Sequence, residues 1–354
     1  MPFFTLEFSR GTRLLPLAIA VSGALLTGAT ASPRWQLQTS GVTGRLRGVS
    51  VVSNLVAWAS GANGAVLRTV DGGRTWQVLH VPDAAQLDFR DIDAVSERDA
   101  YVLSIGPGES SRIYKTSDGG AHWTLQLKNT DPRIFLDAMA FWTPARGIAF
   151  SDSVDRQFAI FTTSDGGATW SRIPSGALPE ALPSEGAYAA SGTNVAMFGT
   201  RDVWIGTSAA RVLHSGDGGK TWSVHRTPLA TGDSAGIFSI AFRDAVHGVI
   251  VGGDYRKERE AIDNVAVTSD GGVSWTLVHE RGLSGFRSAV ASVPNTARSW
   301  LAVGPSGADR SDDDGRTWTA VESEGFDTIS FGRHSQVGWT TGTQGRIARV
   351  DWSE

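Results

Sequence analysis

Among the residues of this 354-residue chain that can do chemistry, two acids stand apart from any repeated pattern, Asp137 and Glu185. Two carboxyls flanking a glycosidic bond can hydrolyse it, one as acid and the other as nucleophile or base, and their separation decides retention or inversion. Further unrepeated polar groups are Arg47, Arg90, Asp91, Ser239, Arg287 and Asp327, with Tyr188 near Glu185 and the stretch Gly252-Gly253-Asp254-Tyr255. Guanidinium and carboxyl groups are costly to bury unpaired, so a convergent set either neutralises itself or receives a polar ligand.

Other chemistries have no support. The seven His lack metal-ligand spacing to one another or to carboxylates, so neither a metal nor a cofactor is expected. There is no Cys, which removes disulfides, thiolate sites, a cysteine nucleophile and a lipid-bearing cysteine. No Gly-x-Ser-x-Gly elbow, P-loop or dinucleotide fingerprint occurs. The net charge of −4, with dispersed Lys and Arg, gives no reason to expect nucleic acid.

The elements that must position these residues are announced by a turn written six times, Ser/Thr-x-Asp-(Gly/Asp)-Gly-x-x-Trp, at intervals of forty-odd to fifty-odd residues. Its aspartates are Asp71, Asp118, Asp165, Asp217, Asp270 and Asp313, and its tryptophans Trp76, Trp123, Trp170, Trp222, Trp275 and Trp318. The glycines supply positive φ, Asp and the hydroxyl bond back to nearby N–H groups, and the Trp folds over the turn. Each Asp sits in its own repeat and cannot converge with the others on one substrate, so these six are read as structural.

Short apolar runs precede and follow each turn, four to a repeat, which is the pattern of a propeller blade. In the fourth repeat the first strand is expected at residues 187–190, and in the sixth the third strand is expected to be short, near Arg310. After Trp318 three more strands follow, at residues 328–331, 337–341 and 345–350, without a further turn. Trp35-Gln36-Leu37-Gln38 resembles the segment after each turn and supplies the missing strand. The expected fold is therefore all-β, a seven-bladed propeller of four-stranded antiparallel blades closed by the N-terminal strand.

Residues 1–31 read as a signal peptide, with Arg10 and Arg13, an apolar stretch at 14–26 and the small-residue site Ala29-Thr30-Ala31. Residues 32–354 form the propeller. A periplasmic or secreted monomer is expected, with no integral membrane segment after cleavage. The starts of the innermost strands, carrying Arg47, Arg90, Asp91, Asp137, Glu185, Ser239, Arg287 and Asp327, converge on one funnel-shaped face. Three loops border it: Asp254 and Tyr255 with the charged run 256–260, the connection 174–186, and residues 152–156.

The turn resembles the Asp-box, or BNR repeat, of sialidases, some endoglucanases and sortilin-type receptors. A sialidase resemblance implies a tyrosine nucleophile, for which Tyr188 and Tyr255 are the candidates, while Phe89-Arg90-Asp91-Ile92 only partly echoes the Phe-Arg-Ile-Pro segment of those enzymes. The whole mature chain more closely resembles the photosystem II stability and assembly factor family, exported seven-bladed propellers. That resemblance implies a non-catalytic scaffold for a membrane protein under assembly, with an arginine-rich docking face to which Arg47, Arg90 and Arg287 would contribute. Two readings stand: a protein-binding scaffold, and a carbohydrate-active enzyme or lectin holding a glycan in the funnel.

Overall fold

The structure, a computed structural model, describes residues 1–5 and 32–352. The chain falls into two units, Met1–Ala31 and Ser32–Glu354. Residues 1–5 are exposed and irregular, and the export signal read at residues 6–31 lies outside the described residues. The second unit is built from seven four-stranded antiparallel sheets. Blade 1 runs Leu46–Val51, Ala57–Gly61, Val66–Thr69, Gln77–Leu79 from the axis outward, and the others repeat this order. The fold is the expected seven-bladed β-propeller.

Hydrophobic cores lie between blades rather than within them. One joins Trp58 and Leu79 of blade 1 to Phe89 and Val102 of blade 2. Another joins Leu46 and Trp76 to Val337 and Trp339, across the seam between first and last blades. A second strand is therefore covered on both faces, and Ala57–Gly61, Trp300–Gly304 and Val337–Thr341 are buried at every residue. That is why such strands read as unbroken apolar runs instead of alternating ones.

The six turns share one hydrogen-bond scheme. In the third, the Thr163 hydroxyl donates to Asp165 Oδ1 at 2.9 Å and accepts the Gly167 N–H at 2.8 Å. Asp165 also accepts the Thr169 N–H at 2.9 Å and the Thr169 hydroxyl at 2.6 Å. These bonds to the ionised form hold the Asp165 carboxyl down at about 2. Gly166 and Gly167 have φ of 71° and 86°, conformations that a Cβ would strain. Since the third strand runs antiparallel to the second and parallel to the first, the turns lie at the end opposite the funnel.

The ring closes as expected. Arg34–Gln38 pairs antiparallel with Ile347–Asp351, so the outer strand of blade 7 comes from the start of the propeller. Gln38 fastens this seam. Its Oε1 accepts the indole N–H of Trp76 from blade 1 at 2.9 Å and that of Trp339 from blade 7 at 3.0 Å, while Nε2 donates to Gly72 O at 3.2 Å.

Two expected strands differ. The innermost strand of blade 4 is Val195–Phe198, not residues 187–190, which belong to the connection before it. That connection is rich in Ala and Leu that pack in place, Ala181 and Ala190 being buried, so it imitates a strand in hydrophobicity without sheet pairing. The third strand of blade 6, Gly307–Ser311, has five residues and is not shortened. Its pattern is masked by Asp309, a buried acid paired with Arg287. Replacing Gln38→Leu leaves two indole N–H groups without an acceptor and should lower unfolding stability by about 2 kcal/mol or more, read from urea denaturation.

Candidate functional site

The innermost strands carry a shared irregularity. Register shifts fall between Leu46 and Gly48, Phe89 and Asp91, Leu136 and Ala138, and Ile237 and Ser239. The residues left over at these bulges are Arg47, Arg90, Asp137 and Phe238. A bulge re-aims a side chain out of the sheet alternation. All four line one cavity of about 540 Å³ at the end where the inner strands begin. This funnel also gathers Arg45, Phe135, Asp152, Tyr188, Tyr255, Glu258, Phe286 and Asp327, so six blades and the connection before blade 4 contribute.

Below the bulges, polar groups staple blade 2 to blade 3 and blade 5 to blade 6. Asp91 Oδ2 accepts the Met139 N–H at 2.6 Å, and Asp93 Oδ2 accepts the Phe141 N–H at 2.8 Å. Burial pushes the Asp91 carboxyl well up and that of Asp93 to about 6. Ser239 Oγ accepts the Val290 N–H at 3.0 Å and the Thr193 hydroxyl at 2.7 Å. Asp91 and Ser239 thus hold the inner ring together.

The connection before blade 4 crosses the axis and closes the funnel. Residues 186–193 bond to groups from every blade: Arg47 donates to Ala190 O at 3.2 Å, and Arg90 to Ala189 O at 2.7 Å. Ala187 N donates to Asp152 Oδ1 at 3.0 Å, and Gly186 N to Ser208 Oγ at 3.1 Å. Ser191 Oγ donates to Ser288 O at 2.9 Å, Thr328 Oγ1 to Ser191 O at 3.3 Å, and Ile240 N to Thr193 O at 2.9 Å. Gly192 packs so closely on Asp91 that a Cβ would lie 2.2 Å from Oδ1. A segment can reach all seven blades only from the centre.

The sequence-derived residues therefore separate into different roles. Glu185 is buried and fully engaged: it forms an ion pair with Arg211, whose Nε donates at 2.9 Å, and accepts the Thr207 hydroxyl and the Leu182 N–H, each at 2.7 Å. Arg287 is likewise buried, paired with Asp309 at 2.7 Å and bonded to Phe286 O, Ser284 and Ser306. Asp327 is paired with Arg45 at 2.6 Å. Arg47, half-buried, is pushed down to about 10, by burial first and then by the charge of Arg90. Arg90 is also held by Asp88 at 2.8 Å. Asp137 is 1% exposed, and neither of its oxygens has a hydrogen-bond partner.

The remaining wall is aromatic. Tyr188 stacks on Phe238 with ring centres 3.9 Å apart, and Tyr255 and Phe286 meet Phe238 edge-on at 6.0 and 4.6 Å. Burial, and next the neighbouring Tyr255, push the Tyr188 phenol up to about 12. Asp254 accepts the Arg256 N–H at 2.9 Å and is held below the usual carboxylate range by its bonds to Ser234 and Arg256. Sequence reading missed Arg45, Phe135, Phe238 and Phe286. Arg45 stood two residues before Arg47, but no local signal marks the bulge that turns Phe238 inward. No group of three or more potential metal-ligating side chains occurs among the described residues.

Glu185→Ala strips the buried Arg211 guanidinium of its counter-charge and should cost about 3–5 kcal/mol of unfolding stability. A loss below about 1 kcal/mol in urea denaturation would contradict the structural role given to this acid.

Residues 27–178 match the family described as photosynthesis system II assembly factor YCF48. The chain is 32% identical over 197 residues to the photosystem II assembly lipoprotein Ycf48 of Trichormus variabilis. That alignment covers 53% of this chain and 50% of the relative, so the chain spans about half the length of this curated relative. The relative is named a lipoprotein, whereas the present sequence contains no Cys. A solved structure of YCF48 bound to a D1 peptide superposes with a TM-score of 0.65 at 19% identity, over 90% of this chain and 96% of that one. YCF48 from Cyanidioschyzon merolae gives 0.63 at 20% identity, over 91% and 99%. A GH74 xyloglucanase from Xanthomonas campestris gives 0.62 at 14% identity, over 89% of this chain and 53% of the enzyme. Fold likeness alone thus spans an assembly factor and a glycosidase. The family match and the sequence relative favour the assembly factors: over residues 27–178 this chain is similar to the photosystem II assembly factor family.

Proposed function

We propose that this chain is an exported, non-catalytic scaffold whose funnel docks a segment of a protein partner. The observation that carries the reading is the state of Glu185, which does not line the funnel cavity. Glu185, one half of the carboxyl pair that glycoside hydrolysis requires, is committed to Arg211, Thr207 and the Leu182 N–H. Tyr188 fares no better as a nucleophile, because a phenol raised to about 12 is moved away from activation. What the funnel does offer is an aromatic wall beside guanidinium and carboxyl groups, the mixture that takes up the alternating apolar and polar side chains of a polypeptide.

The relatives support the same reading. One solved structure similar in fold is a YCF48 carrying a D1 peptide, and the sequence relative is named an assembly protein. A membrane protein under assembly is accordingly the partner class to which the family points. No helix among the described residues is long and apolar enough to cross a membrane.

Selection of the purified protein against a random peptide library should yield binders that compete with one another for the funnel. Replacing Tyr255→Ala should weaken them, by about tenfold for loss of one aromatic anchor. A panel of aryl glycosides should be left intact by the same preparation. Turnover of any glycoside that disappears in Asp137→Asn would replace the scaffold reading with an enzymatic one.

A further inference from the structure

We infer that Asp137 recognises a basic side chain, a lysine ammonium or an arginine guanidinium, of the segment that occupies the funnel; this rests on the docking function proposed above. Four bulges turn a residue into the funnel, and three of those residues are satisfied within the chain. Arg47 and Arg90 hold carbonyls of the axial segment, and Phe238 stacks on Tyr188. Asp137 is the exception. It lines the cavity, it is 1% exposed, and both its oxygens lack a hydrogen-bond partner. The nearby Asp152 N–H is bonded to Phe135 O at 3.2 Å and makes no bond of ordinary geometry to it.

No cation of the chain forms an ion pair with Asp137 among the described residues. Arg90, from the neighbouring blade, is held by Asp88 and Ala189 O. The group near Asp137 is instead a second acid, Asp152, half-buried and lining the same cavity, with Oδ1 accepting the Ala187 N–H. Burial first and then the Asp152 charge push the Asp137 carboxyl well up, and burial does the same to Asp152.

Two desolvated carboxyls side by side are costly unless a positive donor joins them. An ammonium brings three N–H donors and a guanidinium a planar fork, and either would serve both acids. Phe135 and Tyr188 line the same cavity and suit the aliphatic stem of such a side chain. An acidic or apolar side chain would leave the pair as it is.

The test uses peptides selected on the full-length protein from a random library, resynthesised with acetylated N-termini so that only side chains carry positive charge. A Lys or Arg should recur in them, and its replacement by norleucine should weaken binding by about tenfold or more. The Asp137→Asn protein should bind the basic and norleucine peptides equally, and Asp152→Asn should narrow the gap between them. Asn matches the shape of Asp and removes the buried acid, so the variant should melt no lower than the parent; if it fails to fold, Asp152→Asn carries the comparison. Binders without a basic residue, or a basic preference that survives in both variants, would overturn the inference while leaving the docking function standing. Absence of any binder would remove both.

Discussion

The pairing of Arg34–Gln38 with Ile347–Asp351 is the contact on which the rest of the molecule depends. Each hydrophobic core lies between two blades, so a blade has no core of its own and an unclosed ring would leave two sheet faces in water. Closure therefore has to be shared between the two ends of the propeller. The chain achieves this without disulfides, having no Cys, and uses Gln38 to accept indole N–H groups from both sides of the seam. The remaining donor of that amide reaches Gly72, within the first Asp-box turn. The repeated turn and the closing strand thus meet in one hydrogen-bonded unit.

Closure fixes an axis, and the unrepeated residues are arranged around it. Bulges in four inner strands turn Arg47, Arg90, Asp137 and Phe238 toward the funnel. The segment before blade 4 then lies across the axis, and Arg47 and Arg90 bind its carbonyls. The channel becomes a cup with a floor. Its rim is aromatic on the side of blades 5 and 6, where Tyr255 remains 40% exposed while Phe286 is buried. A cup of this kind suits a docked segment more than a threaded one.

The architecture was legible because its signals are local. Six turns, each with its Asp, glycine and Trp, mark the blades, and Trp35 to Gln38 mark the closing strand. Even the hydroxyl residue that completes five of the turns, as Thr169 does for Asp165, stands in plain sight immediately before the Trp. The site was less legible because its partners are distant in sequence. Arg45 finds Asp327 from the far end of the chain, and Glu185 finds Arg211 only after a turn of blade 4. Arg287, expected on the docking face, is taken inward by Asp309, a buried acid that no periodicity announces. An ion pair that neutralises two residues also removes them from the surface, and spacing alone cannot show which charges are so consumed.

The most direct measurement is site-specific photo-crosslinking in the native cells. A photoreactive phenylalanine analogue replaces Tyr255 on the funnel rim, and in a second strain it replaces Lys220, beside an Asp-box turn at the opposite end. A docking scaffold crosslinks one discrete polypeptide from position 255 and not from position 220. Equal capture from both positions, or none from position 255 while the protein remains folded and present, would contradict a docking function for the funnel.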